Sequence, residues 1–216
     1  RPQIPLTRRA TEAFNIACKE IEGFEADDII ATLAARARAA GGRVTILSSD
    51  KDLMQLVGDG VEMLDPMKNR TIDSDGVAEK FGVPPDRVVD VQALAGDSVD
   101  NIPGAPGIGI KTAAMLINEF GSLEDLLDRA EEIKQPKRRQ TLLEHRDQIK
   151  LSKKLVQLDG GMDLDFTLDD LEVRDAEPET LLGFLSEMEF RTITKRIADK
   201  LGVEPPVIED RAPEGA

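Results

Sequence analysis

The chain has one cysteine, one histidine and no long apolar run. A lone Cys18 cannot close an internal disulfide, so a reducing, cytoplasmic setting fits. It lies in an alternating apolar stretch and reads as a buried structural thiol. His145 sits among charged residues and reads as a surface residue, which leaves Ser/His/Asp chemistry and His-rich metal sites without their parts. No stretch is long and apolar enough for a transmembrane helix, and no signal peptide is visible. The chain opens on Arg1 and Pro2 and not on Met, so it is expected to be a piece of something longer.

What is present is a chain of 216 residues, 40% hydrophobic and 32% charged, enough for a sizeable core in one or two domains. Its formal net charge is -14. Bulk charge of that sign argues against nucleic acid, because phosphate binding runs on cations. Two features weaken the objection. Carboxylates that hold divalent cations are neutralised locally. Charge is also uneven: between Lys134 and Lys154 eight Lys/Arg face only Glu144 and Asp147. That segment is either a solvated helix face or a contact surface.

Residues 7–14 read as a helix and "IACKEI" (16–21) as a strand. "ADDIIATLAARARAA" has helical spacing, with Gly41 and Gly42 as its stop. "RVTILSS" (43–49) reads as a strand, "DKDLMQLVG" as a helix and "VEMLD" (61–65) as a third strand. The alternation indicates a mostly parallel α/β layer. After "VPPD" (83–86) the chain turns helical: "RVVDVQALAG", a Pro/Gly-rich loop, "IKTAAMLINEFG", then "SLEDLLDRAEEI" with Ser122 as N-cap, and further helices to about Leu201. The expected division is an α/β metal-binding core at 1–83, a helical DNA-binding region at 84–203 and a flexible linker at 204–216.

In "IEGFEADDII" (21–30) three carboxylates, Glu25, Asp27 and Asp28, crowd a strand-to-helix junction amid apolar residues. A solvated acidic face needs no such flank. Asp27 and Asp28 fall in the first helical turn, where the dipole favours anions. Asp50 and Asp52 follow the next strand, at the end where sites of open α/β sheets form. Asp97 and Asp100 stand in the loop "GDSVDN". Caps and Asx-turns explain single acids at such places. Seven brought together would repel and would need protons or cations. Oxygen-only donors suit Mg²⁺ or Mn²⁺. Two such ions about 4 Å apart are a standard device for phosphodiester hydrolysis, one generating the attacking hydroxide and the other stabilising the leaving oxygen.

"PGAPGIGIKTA" (103–113) nearly spells a P-loop, but Ile110 intervenes before Lys111 and Thr112, and no buried strand precedes it. It also fails as a dinucleotide fingerprint. Two readings remain: a tight helix–helix turn with no ligand, or a helix–loop–helix clamp on a phosphate, with Gly107 and Gly109 admitting the backbone and Lys111 adding charge.

"GFEADDIIATLA", "LSSDKDLMQLV" and "LAGDSVDNIPGAPGIGIKTAAMLINEFGSLEDLL" together resemble the 5′-nuclease (5′–3′ exonuclease) domains of bacterial DNA polymerase I, within the flap-endonuclease superfamily. The likeness covers roughly residues 3–200. It implies a PIN-like/Rossmann-like layer followed by a helix–three-turn–helix (helix-hairpin-helix-like) domain. It implies a cytoplasmic bacterial enzyme that hydrolyses 5′ flaps and RNA primers in replication and repair. Glu25, Asp27 and Asp28 match ligands mainly of a first Mg²⁺ or Mn²⁺ ion, and Asp50, Asp52, Asp97 and Asp100 those around a second. Asp27, Asp28 and Asp97 are the expected catalytic acids. Gly104, Gly107, Gly109, Lys111 and Thr112 match the element that holds duplex DNA with a 5′ flap or nick, in relatives often through K⁺. Covalently linked proofreading and polymerase domains are the implied partners, with no membrane.

The chain departs from this pattern at its start. The family's first strand with its metal-binding Asp, a second Asp and a basic arch would precede Arg1. The α/β core is therefore expected to be truncated and its sheet edge uncovered, with a risk of self-association. Activity of this piece alone is expected to be weak or absent. The alternatives are a non-catalytic duplex-binding module, or a PIN-like ribonuclease, which the helix–loop–helix element disfavours.

Overall fold

The computed structural model describes residues 3–204, so nearly all of the expected linker lies outside the described residues. The chain divides into two compact units, one of Gly23–Asp163 and one of the flanking segments up to Glu22 and from Leu164.

In the larger unit, α2 (Ala26–Ala39) follows α1 (Ile4–Ala13) of the smaller one. α2 carries Asp27 and Asp28 in its first turn and Arg36 and Arg38 near its last, matching both ends of its dipole. It buries Ile29, Ala31, Thr32 and Ala34. β1 (Val44–Leu47) pairs in parallel with β2 (Val61–Asp65), Val44 opposite Val61. β2 pairs antiparallel with the short β3 (Arg70–Ile72), so the sheet is mixed, in the order β1-β2-β3. The outer edge of β1 has no strand partner among the described residues, and Leu47 there is 67% exposed. "DKDLMQL" forms only a short 3-10 helix, Asp52–Leu56.

The expected strand at 16–21 is absent. Alternation there has no neighbouring strand to pair with, and Ile16 is half exposed. Cys18, expected to be buried, is half-buried in this irregular stretch. Two elements went unanticipated, β3 and α3 (Ser74–Phe81). α3 is capped by the Asp73 carboxylate, which accepts from the Gly76 N–H at 3.0 Å, and stops at left-handed Gly82.

α4 (Val88–Ala95) is buried on nearly every side, as a helix at the centre of a core should be. α5 (Ile110–Phe120) and α8 (Arg146–Val156) pack against it, with α6 (Leu123–Asp128) and α7 (Pro136–Glu144) between them in sequence. One continuous core runs from Ile46 and Met63 in the sheet through Phe81 and Leu94 to Leu126 and Ile149. Ser122 caps α6 as expected, accepting from the Asp125 N–H at 3.1 Å. His145, at the junction of α7 and α8, is half-buried with Nδ1 3.0 Å from the Thr141 carbonyl.

The smaller unit packs α1 against α9 (Pro178–Glu187), which packs against α10 (Arg191–Leu201), around Ala13, Leu181, Phe184 and Leu185. Arg9 pairs with Glu187 at 2.5 Å and lies over the Phe184 ring. No helix is long and apolar enough to cross a membrane among the described residues.

Candidate active site

The three acidic segments meet through the order of the fold. The N-terminus of α2, the turn after β1 and the loop after α4 bring their carboxylates into one electrostatic field. Partial burial first, and then Asp50, Glu25, Asp52 and Asp28, push the Asp27 carboxyl above its ordinary range. Asp52 is raised as well, by burial and by Asp50 and Asp100, against the hydrogen bond it accepts from Gln92. Repulsion of this kind links Glu25, Asp27, Asp28, Asp50, Asp52 and Asp100 across more than seventy positions of sequence.

Local hydrogen bonds fix several of these groups. Asp50 Oδ1 accepts the Asp52 N–H at 3.0 Å, and Ser48 Oγ accepts the Asp50 N–H at 3.0 Å. Asp28 Oδ1 accepts the Asp159 N–H at 2.9 Å. Asp97 is buried, and its backbone closes a two-way bridge with Ile102. Its Oδ1 accepts the Val99 N–H at 2.9 Å. Its Oδ2 meets the Lys51 ammonium, which holds Asp97 below the usual carboxylate range. Asp97, buried and paired with Lys51, thus differs from Asp50 and Asp52, which feel Lys51 or Lys80 only at longer range.

Lys51 and Gln92 were not among the candidates read from sequence. Lys51 was visible inside "SSDKD" as a cation between two acids. Gln92 was visible, with Asp90, as a polar residue in the mostly apolar run "VVDVQALA". Its Nε2 donates to Asp52 Oδ1.

The donor chemistry, carboxylate oxygen throughout, fits a hard divalent cation. Among the described residues no three His, Cys, Asp or Glu side chains stand close enough together to hold one ion as folded. The excess of acids over Lys51 and the more distant Lys80 is the feature that a cation would relieve.

The glycine loop divides into an inner and an outer part. Gly104, expected among the DNA-binding residues, is buried. Its φ is +58°, and a Cβ would lie 2.4 Å from the Gly96 nitrogen. Its N–H donates to Ser152 Oγ at 3.1 Å, and its carbonyl accepts from Gln148 at 2.7 Å. With both backbone groups engaged inside the protein, Gly104 shapes the loop and does not present it. Gly107 and Gly109 are exposed, with open space where their Cβ atoms would be. Gly109 is the N-cap of α5, whose first turn has no acid and no side-chain cap. Lys111 is exposed in that turn and Thr112 half-buried.

The family description "5′-3′ exonuclease, N-terminal resolvase-like domain" matches residues 1–82, and "5′-3′ exonuclease, C-terminal SAM fold" matches 83–179. A 5′-3′ exonuclease of Aquifex aeolicus is 36% identical over 92% of this chain and 67% of its own length. The chain belongs to the 5′-3′ exonuclease family. It therefore has that family's fold, a resolvase-like α/β layer followed by a SAM-like helical region. DNA polymerase I of Rhizobium leguminosarum is 54% identical over 96% of this chain, but the chain spans only 20% of that protein. A solved structure of T5 5′-exonuclease with divalent metal ions (zinc) bound superposes with a TM-score of 0.61 at 25% identity, covering 79% of this chain and 60% of that one.

Proposed function

We propose that the chain is the 5′-nuclease region of a DNA polymerase I, cleaving phosphodiesters of 5′ flaps and RNA primers in the bacterial cytoplasm during replication and repair. The observation that carries this reading is that acids from three distant segments share one electrostatic field, which helix capping alone does not require. Mg²⁺ or Mn²⁺, two ions in the complete site, would be held by Glu25, Asp27 and Asp28 on one side and Asp50, Asp52, Asp97 and Asp100 on the other. Such ions supply Lewis acidity and a nucleophilic water near neutral pH. Asp27, Asp28 and Asp97 stand nearest the chemistry in this reading. Lys51 must give up Asp97 when a cation enters.

The exposed backbone at Gly107 and Gly109, with Lys111 and Thr112 on the first turn of α5, suits the phosphates of duplex DNA through N–H groups and charge. A K⁺ ion at the loop is part of the proposal, as are linked proofreading and polymerase domains. The T5 structure with bound zinc supports the metal reading by likeness. A duplex-binding module without catalysis is the second reading, and the Lys51–Asp97 pair favours it.

Cleavage of a 5′-labelled flap duplex in Mn²⁺, with EDTA and Asp97→Asn as controls, separates the two. Nuclease action predicts metal-dependent cleavage, weak in this chain and stronger in a longer version of it, and lost with Asp97→Asn. Flap binding with no cleavage from either length would leave the duplex-binding module.

A further inference from the structure

α4 carries two buried polar side chains, Asp90 and Gln92, in a run otherwise of Val, Ala and Leu. Asp90 is fully engaged: it accepts the Leu123 N–H at 3.1 Å and pairs with Lys153 at 2.7 Å. Gln92, only 3% exposed, is engaged on one side. Its Nε2 donates to Asp52 Oδ1, while its Oε1 is buried with no hydrogen-bond partner among the described residues. Packing alone would favour an apolar side chain here, since a buried acceptor without a donor is costly. A glutamine is explained if both ends of its amide have work at the acid cluster. Asp52 is the group it touches, and Asp52 Oδ1 is the oxygen it occupies.

We propose that Gln92 is a positioning residue: its amide N–H holds Asp52 Oδ1, leaves Oδ2 to a divalent cation, and its buried Oε1 accepts a hydrogen bond from water carried by that cation. This rests on the reading of the acids as cation ligands. Partners one step behind a metal ligand orient it and tune its basicity, and their loss commonly weakens metal affinity about 10- to 100-fold.

The test is Mn²⁺ titration of the chain by calorimetry, for the unaltered protein, Gln92→Met, Asp52→Asn and the double variant. Gln92→Met, similar in shape and without either hydrogen bond, is expected to weaken Mn²⁺ about tenfold. The double variant is expected to bind no more weakly than Asp52→Asn alone, because Gln92 acts through Asp52. A purely structural role would instead give additive losses, and that result overturns the proposal. Unchanged affinity in Gln92→Met beside a loss in Asp52→Asn overturns it too, and leaves the metal reading standing. No Mn²⁺ binding by the unaltered chain, or none lost in Asp52→Asn, overturns the metal reading and this inference with it. Should Gln92→Met not fold, Gln92→Asn keeps the amide but falls one methylene short of Asp52. The same loss is expected, and unaltered affinity overturns the proposal.

Discussion

Two lysines in the larger unit meet carboxylates in opposite circumstances. Lys153 on α8 lies 2.7 Å from Asp90 and 2.8 Å from Glu124, and Arg87 approaches Asp90 at 3.8 Å. Arg87 also meets Asp86 at 3.4 Å, so each acid there has a cation beside it. Lys51 meets Asp97 alone while six further carboxylates press on one another nearby. The first network ties α4, α6 and α8 together and is complete within the protein. The second is left charged. Like charges held together at partly buried positions raise the free energy of the fold, and protons or a bound cation relieve it. The same helix shows the contrast at short range, since Asp90 is satisfied on one flank of α4 and Gln92 half satisfied on another.

The largest effect should come from breaking the complete network. Lys153→Met takes the nearer cation from Asp90, whose side chain is 5% exposed, and leaves it Arg87 at 3.8 Å. Loss of one partner of a buried pair costs about 3–5 kcal/mol. Because Lys153 keeps some contact with solvent, about 2–3 kcal/mol is expected here, read by urea denaturation. A cost near zero would mean that the two regions do not differ in kind.

Acidity should tell the regions apart next. Asp27 and Asp52 are raised in the folded state, so the native protein binds protons more readily than the unfolded chain. Metal-free stability should therefore rise as pH falls through the region just above the ordinary carboxylate range. Asp97, held low by Lys51, acts in the other direction: its contribution is present above its unfolded pKa and lost as pH falls through its depressed one. Thermal melts with EDTA should show the rise, and Mn²⁺ should flatten it. A metal-free melting point that falls steadily on mild acidification would contradict the raised pair.

The smallest effect should follow Lys51→Met. Removing the internal cation frees Asp97, so Mn²⁺ affinity in calorimetry should tighten by a few-fold, as expected when a competing charge about 4 Å away is removed at high effective dielectric. Weaker Mn²⁺ binding would mean that Lys51 supports the site and does not compete for it.

Much of this was legible in the sequence. Helical spacing with charged ends marked α2, the Gly121 stop and Ser122 cap marked the α5–α6 corner, and three acid pairs or triplets at strand or helix ends marked the candidate site proposed above. The failures have physical causes. Alternation at 16–21 gave no strand because a strand needs a neighbour to take its hydrogen bonds, and none is within reach among the described residues. β3 is only three residues long, and α3, "SDGVAEKF", is mostly polar and buries only Val77 and Phe81, so neither shows a clear apolar period. Gly104 looked like Gly107 in sequence, since both offer the same conformational freedom.

The order of residues by itself determined most of the helices, the strands at 44–47 and 61–65, the oxygen-only donor set and the family motifs, because these rest on local period, caps and residue chemistry. Tertiary structure decided the rest. It chose which glycine packs against Gly96 and which faces solvent, which aspartate Lys51 neutralises, and that Gln92 on α4 reaches Asp52 forty positions earlier. Those are contacts between segments far apart in the chain, and only packing of the helices onto the sheet brings them within hydrogen-bond reach.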